Sequence, residues 1–143
     1  MKKLREMKQL SLEIVKEMAA AAEAKAGDIN VQVVFAAVDV GANLMLMHRM
    51  EDAFITSTEI AINKAFTSAA LKKGTHEVTP DIQPGESLYG LQLTNNCKIV
   101  PFGGGLPIIV DGQVVGAVGV SGGTVQEDMA IAKAAIEVFE KQF

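Results

Sequence analysis

Leu106-Pro-Ile-Ile-Val-Asp-Gly-Gln-Val-Val-Gly-Ala-Val-Gly-Val120 is the stretch that decides how this chain folds. Asp111 and Gly112 stand between two apolar, β-rich runs. Asp-Gly in that position calls for a type I′ hairpin, because both central residues need φ > 0 and the primed turn matches the twist of the strands. Glycine clusters bracket the hairpin, Gly103-Gly104-Gly105 before it and Gly122-Gly123 after it. Backbone without Cβ atoms at both ends of one hairpin lets another chain or a ligand approach closely.

Working outward, Leu4–Ala26 reads as a helix. Leu4, Met7, Ser11, Ile14, Met18 and Ala21 recur at three- and four-residue spacing, and Gly27 suits the position just past the end. Val31–Val38 is nearly all apolar and rich in β-branched residues, which predicts a strand covered on both faces. Asp39–Asn43 is a turn with Gly41 and Asn43 available for φ > 0, and Leu44–Arg49 returns as a second strand. Ile55–Lys73 is a second long helix. Lys72 and Lys73 complement its dipole and Gly74 ends it. Thr75–Glu86, with Pro80 and Pro84, breaks the periodicity and reads as an irregular loop. Leu88–Thr94 fits either a short helix or an extended piece, and Lys98–Pro101 a short strand. The last helix spans Thr124–Gln142, with Thr124 and Glu127 in a capping-box pattern and a stripe from Val125 to Phe143. Two tight antiparallel hairpins exclude a doubly wound parallel sheet. The expected class is α+β, with about five antiparallel strands layered against three long helices.

A chain of 143 residues is one domain by length, spanning 1–143. Apolar residues make up 49% and aromatics 5%, with no Trp, so the core must be largely aliphatic. A net charge of −4 argues against nucleic-acid binding, and the early Lys and Arg residues of Met1–Lys8 are interrupted by Glu6. Cys97 stands alone, which excludes a disulfide framework and a cysteine metal cluster, and it reads as a small buried hydrophobe. No signal-peptide core follows the first lysines, and no apolar run approaches the ~20 residues of a membrane span. The default compartment is the cytoplasm. The apolar faces of Val31–Val38 and Leu44–Met47, with the glycine-lined last strand, predict a symmetric homo-oligomer.

Few side chains announce chemistry. Asp39 closes a buried strand, where its carboxylate could face a cleft or simply accept backbone N–H groups of the turn. Arg49 could grip a ligand carboxylate through its planar fork, or pair with Glu51 or Asp52. His48 lies in Met45-Leu-Met-His-Arg-Met50, where methionine and histidine are donors for copper or haem iron but also ordinary gap-filling strand residues. His76, in the irregular loop, is a solvent-exposed residue or an axial ligand. Gly103–Gly105 lacks the Lys-Ser/Thr pair of a P-loop, and Gly119-Val-Ser-Gly-Gly123 lacks the dinucleotide fingerprint. The second does place backbone N–H groups and Ser121 at a helix N-terminus, which favours an anion, while Glu127 and Asp128 oppose one.

These residues carry a resemblance. Val38-Asp39-x-Gly41, Arg49-Met-Glu-Asp52-Ala53, Ala61-x-x-Lys64-Ala65, Pro101-x-Gly-Gly-Gly-Leu-Pro-x-x-x-x-Gly112-x-x-x-Gly-Ala-x-Gly-Val-Ser-Gly122 and Gln126-x-Asp128 together look like the GlcG/HbpS family, which includes the C-terminal domain of PduO-type proteins. The match runs through the whole chain in order, and its Gly-rich C-terminal part is the specific piece. The resemblance implies a profilin-like α/β/α fold with a five-stranded antiparallel sheet, oligomers, and a setting in glycolate, diol or glycerol use. It implies a small-ligand-binding protein, with haem or another anionic molecule bound near Gly103, Gly104, Gly105, Ser121, Gly122 and Gly123. The first helix and the strand after it hold no histidine, so an axial ligand would come from His48, His76, Tyr89 or a methionine. The other reading is a small lyase or isomerase on a carboxylate substrate. There Asp39 would be base or orienter, Arg49 or Lys64 the carboxylate clamp, and the Gly103–Gly105 backbone the oxyanion donor.

Overall fold

Ser11, not Leu4, starts the first helix. In the computed structural model, which describes residues 3–142, the Ser11 hydroxyl accepts the Ile14 N–H at 3.2 Å and helix α1 runs over Leu12–Asp28. The helical spacing of Leu4 and Met7 is overridden, because a satisfied N-cap ends the helix at Ser11. Residues 3–10 form an arm instead. Its anchor is Leu10, whose Cδ1 lies 2.5 Å from where a Cβ on Gly116 would be, so only glycine leaves it room. Gly27 falls inside α1, and the left-handed residue beyond the helix is Asn30, at φ 57°.

Strands β1 (Val34–Asp39) and β2 (Leu44–Arg49) form the first hairpin. Its positive-φ residue is Ala42, at φ 63°, rather than Gly41 or Asn43. Helix α2 (Ile55–Leu71) ends two residues short of the expected Lys73, because Lys72 itself takes the left-handed conformation. Strands β3 (Gly105–Val110) and β4 (Gln113–Ser121) form the second hairpin, with Asp111 and Gly112 at φ 50° and 76°, as a type I′ turn demands. Helix α3 (Val125–Glu140) has its capping box complete, Thr124 and Glu127 each accepting the other's backbone N–H. Phe143, the last position of the expected stripe, lies outside the described residues, as do Met1 and Lys2.

The described sheet has four antiparallel strands in the order β2-β1-β4-β3, not five. Lys98–Pro101 was the expected extra strand, and it pairs with α2 instead. The Thr67 hydroxyl bonds the Lys98 carbonyl and accepts the Val100 N–H, so these backbone groups meet a helix side chain rather than a ladder. Ile99 and Val100 are buried by that docking. Three successive left-handed residues, Asn95, Asn96 and Cys97, turn the chain just before it. Between α2 and β3 the chain makes only short 3-10 turns: Thr75–Glu77, Thr79–Ile82, Leu91–Leu93 and Asn95–Cys97.

Both faces of β1 are covered, as its composition implies. Phe35 and Ala37 pack with α1 and α3 in the main core, which is aliphatic apart from Phe35 and Phe139. Val34, Ala36 and Val38 point the other way, toward α2. Glycine in β4 brings that helix close. A Cβ on Gly119 would lie 2.6 Å from the Ala65 backbone nitrogen. No helix among the described residues is long and apolar enough to cross a membrane.

Candidate functional site

The close approach of α2 to Gly119 carries Lys64 into the interior, where its side chain is 1% exposed. Its Nζ donates to the Val120 carbonyl at 2.7 Å and to Asp128 Oδ2 at 3.1 Å, and it lies 5.1 Å from the centre of the Phe102 ring. Asp128, in the first turn of α3, is also buried, and its Oδ1 accepts the Gly123 N–H at 2.8 Å. The Gly122 N–H adds to the same carboxylate. Desolvation pushes the Lys64 ammonium below its ordinary pKa, and the Asp128 charge offsets part of that. Desolvation likewise pushes the Asp128 carboxyl up, against the pull of Lys64 and the glycine amides. Each charge is held in the interior by the other, the arrangement in which removing one partner is costly.

The triple glycine packs around this pair. Gly104 sits at φ 127°, and a Cβ there would lie 2.6 Å from both Lys64 Nζ and the Val120 carbonyl. Gly103 packs on Met129 and Val125, and Gly105 on the Lys64 carbonyl and Ser68. The Gly105 N–H donates to the Thr75 hydroxyl at 2.9 Å, tying the loop to the turn that carries His76. Beside it Ser121 is buried and its hydroxyl donates to Ser57 at 3.0 Å.

Lys64, Gly103–Gly105 and Ser121–Gly123 therefore meet in one place. The donors expected to greet an external anion at the N-terminus of α3 are taken by the chain's own Asp128. Sequence reasoning weighed Asp128 only against the helix dipole and missed it as the partner of Lys64. The two motif pieces Ala61-x-x-Lys64-Ala65 and Gln126-x-Asp128 were the available signal.

Asp39 and Arg49 lie elsewhere. Asp39 Oδ1 accepts the Gly41 and Asn43 N–H groups, each at 2.9 Å, so it is a turn residue. It pairs with Gly116, whereas Lys64 sits beside Val120, four positions or about 13 Å further along β4. Arg49 is exposed and, among the described residues, reaches only the Glu51 carbonyl, at 3.5 Å. Asp39 is thus separated from the Gly103 loop, and an Asp39-based lyase or isomerase needs the two together.

His48 is exposed on β2, with Nδ1 at 2.5 Å from Glu23 of α1. His76 is exposed in the Thr75–Glu77 turn and makes no hydrogen bond among the described residues. Its ring lies against Gly74, where a Cβ would be 2.6 Å from Nδ1. Cys97 is exposed rather than buried, because the left-handed turn holds it at the surface. Among the described residues no three His, Cys, Asp or Glu side chains gather where a metal ion could sit. A cleft of about 520 Å³ lies between the N-terminal arm, α1, the tip of the β3–β4 hairpin and Phe139, and it contains none of the nominated residues.

Comparison with known proteins places the chain in a family. Residues 10–137 match the family model described as haem degrading protein HbpS-like, and the chain belongs to this HbpS-like family. It is 55% identical over 141 residues to an uncharacterized 15.0 kDa protein encoded in the dhaT-dhaS intergenic region of Citrobacter freundii, covering 99% of each chain. It is 41% identical to the corrinoid adenosyltransferase PduO of Citrobacter freundii over 127 residues, 89% of this chain but 38% of that enzyme. The solved structure of a PduOC:heme complex superposes with a TM-score of 0.89 at 40% identity, over 92% of this chain and 95% of that one.

Proposed function

We propose that this protein binds a small anionic ligand, with haem as the leading candidate. The observation that carries the reading is the likeness to the haem complex, 40% identical over nearly the whole chain. Haem iron takes an imidazole, phenolate or thioether donor in an apolar setting. The segment 75–102 offers such chemistry. The imidazole of His76 is exposed and not hydrogen-bonded among the described residues, and the same segment exposes Leu88, Tyr89, Leu93 and Phe102. His76 would hold the iron, with Tyr89 as a second donor. His48 is the weaker candidate because Glu23 already engages it. When bound, haem supplies a redox-active iron. The chain's part is to present the imidazole from a turn that Thr75 fixes to the Gly103–Gly105 loop.

We further place the protein in the cytoplasm as a homo-oligomer, serving the use of diols, glycerol or glycolate. Its likeness to a dhaT-dhaS intergenic protein and to PduO supports that setting.

Titration of the purified protein with haemin tests the reading. The expected result is a Soret band displaced from the free-haemin position, lost in His76→Ala and kept in His48→Ala. A band that stays at the free-haemin position refutes haem ligation. One lost only in His48→Ala refutes the assignment of His76.

A further inference from the structure

The cleft of about 520 Å³ at the hairpin tip has an apolar floor and an acidic rim. Four parts of the chain supply the floor: Leu10 from the arm, Ile14 from α1, Val110 and Val115 from the β3–β4 hairpin, and Phe139 from α3. Val115 and Phe139 belong to the main core and the other three pack against it, so the floor is the core's own surface at this end. The volume falls within the span of small-molecule sites, about 300–1,000 Å³. The free charges of the rim are all of one sign. Lys8 is the one cation lining the cleft among the described residues, and its Nζ donates to Asp111 at 2.9 Å. The Ser11 hydroxyl is engaged as the cap of α1. Glu13 and Glu17 stand one turn apart on α1, both exposed, and neither belongs to an ion pair among the described residues. Glu13 lies in the first turn, where its charge complements the helix dipole, but Glu17 lies beyond that turn. The cations nearest in sequence, Lys3, Arg5, Lys16 and Lys141, do not line this cleft. Arg5 lines a separate one with Glu6 and Lys72. Glu140 borders the hollow next to Phe139 and adds a further negative charge on that side.

We propose that this cleft is a second binding site, for an organic ammonium ion with a compact apolar body. The body covers the floor and releases its water, and the ammonium meets the Glu13 and Glu17 carboxylates at the rim. A carboxylate or phosphate would face the same two negative charges, with Lys8 already taken by Asp111, so the site selects against anions. A neutral molecule of the same shape gains the floor alone. The site is distinct from the His76 region. Val110 lies five residues along β3 from Gly105, about 16 Å away, and Gly105 is the residue that holds the His76 turn. The family match begins at residue 10, so Lys8 and Gln9 of the arm, which wall the cleft, lie outside it. Haem binding at His76 is neither required nor opposed by an amine in this cleft.

Calorimetric titration of the full chain with phenethylammonium chloride tests it, beside the neutral phenethyl alcohol and the anionic hydrocinnamate. The expected result is one ammonium ion bound per chain with a Kd of about 1 mM or tighter. The alcohol should bind more weakly and hydrocinnamate should give no saturable heat. Glu13→Gln combined with Glu17→Gln should weaken ammonium binding about threefold or more. Ile14→Trp, which fills the cleft from its floor, should abolish it, and His76→Ala should leave it unchanged. Circular dichroism checks that each variant is folded. A wild type that gives no saturable heat with the ammonium ion overturns the site. Equal affinity for the alcohol, or an unchanged Kd in the double glutamate variant, also overturns it, since the carboxylates then play no part. Binding that survives Ile14→Trp, or that is lost in His76→Ala, puts the ion elsewhere and refutes this assignment.

Discussion

Lys64→Met should be among the most damaging single substitutions in the molecule, and its cost should depend on pH in a stated direction. The variant keeps much of the stem's apolar volume and removes the charge. Asp128 is then left buried with only the Gly122 and Gly123 amides for support. Removing one member of a buried pair costs about 3–5 kcal/mol. For a domain of this size that corresponds to a fall in Tm of roughly 10–20 °C. Lys64 is also the charge that holds the Asp128 carboxyl down against desolvation. Without it, the folded-state pKa rises further above the ordinary value of 3.8. In the window above that value the folded protein retains a proton that the unfolded chain has released. More protons are then bound in the folded state, so the variant's stability falls as pH rises through the window. Urea unfolding at pH 5 and pH 8 reads this directly. The deficit against wild type should be largest at pH 8 and shrink at pH 5. Adding Asp128→Asn should recover part of it, because the amide oxygen can still accept the Gly123 N–H. A deficit below about 1 kcal/mol, the range of an exposed pair, would refute the reasoning. So would a deficit equal at both pH values and unchanged by Asp128→Asn.

Other substitutions test neighbouring steps. Gly104→Ala forces a Cβ into positive-φ backbone, 2.6 Å from both Lys64 Nζ and the Val120 carbonyl, and should cost more than about 2 kcal/mol by urea midpoint. Gly27→Ala, inside α1 with no atom within 4 Å of the new methyl, should instead stabilise by about 0.5–1 kcal/mol. Asp39→Ala removes the acceptor for two turn N–H groups and should lower stability by roughly 1–2 kcal/mol without moving the haemin titration. Cys97 should react with a thiol reagent in the native protein at nearly its rate in urea, and protection without denaturant would contradict its exposure.

Local rules made some elements legible and concealed others. The Asp111-Gly112 turn was readable because its chemistry is complete within two residues, and the same holds for the Thr124–Glu127 capping box. The two-sided burial of β1 followed from an almost unbroken apolar run. The start of α1 was not readable from periodicity, since Leu4 and Met7 continue the spacing of Ile14 and Met18 while Ser11 caps the helix between them. Lys98–Pro101 looked like a strand because Ile99 and Val100 are apolar and β-branched, and both are in fact buried. Their burial comes from α2 and Thr67, a contact 31 to 33 residues distant that leaves no local trace. Lys64 and Asp128 lie 64 positions apart, so only the fold could pair them.

That pairing changes what the glycines mean. A Gly-rich turn leading into a helix invites an external anion, and Gly122-Gly123 ahead of α3 fits that pattern. Here the anion is internal. The Asp128 carboxylate receives the amides, Lys64 neutralises it, and Gly104 leaves the space that Nζ fills. An outside carboxylate or phosphate would have to displace Asp128 from a buried ion pair, at the cost of stranding a charge. The glycine clusters are thus accounted for by the close packing of α2, the Lys64 side chain and the first turn of α3. A ligand is better sought where groups remain unengaged. That points away from the helix N-terminus and toward the exposed imidazole of His76 and the apolar side chains of the 75–102 segment above it in the chain. The Thr75–Gly105 hydrogen bond then joins the two regions, so that the buried pair fixes the loop on which the turn carrying His76 rests.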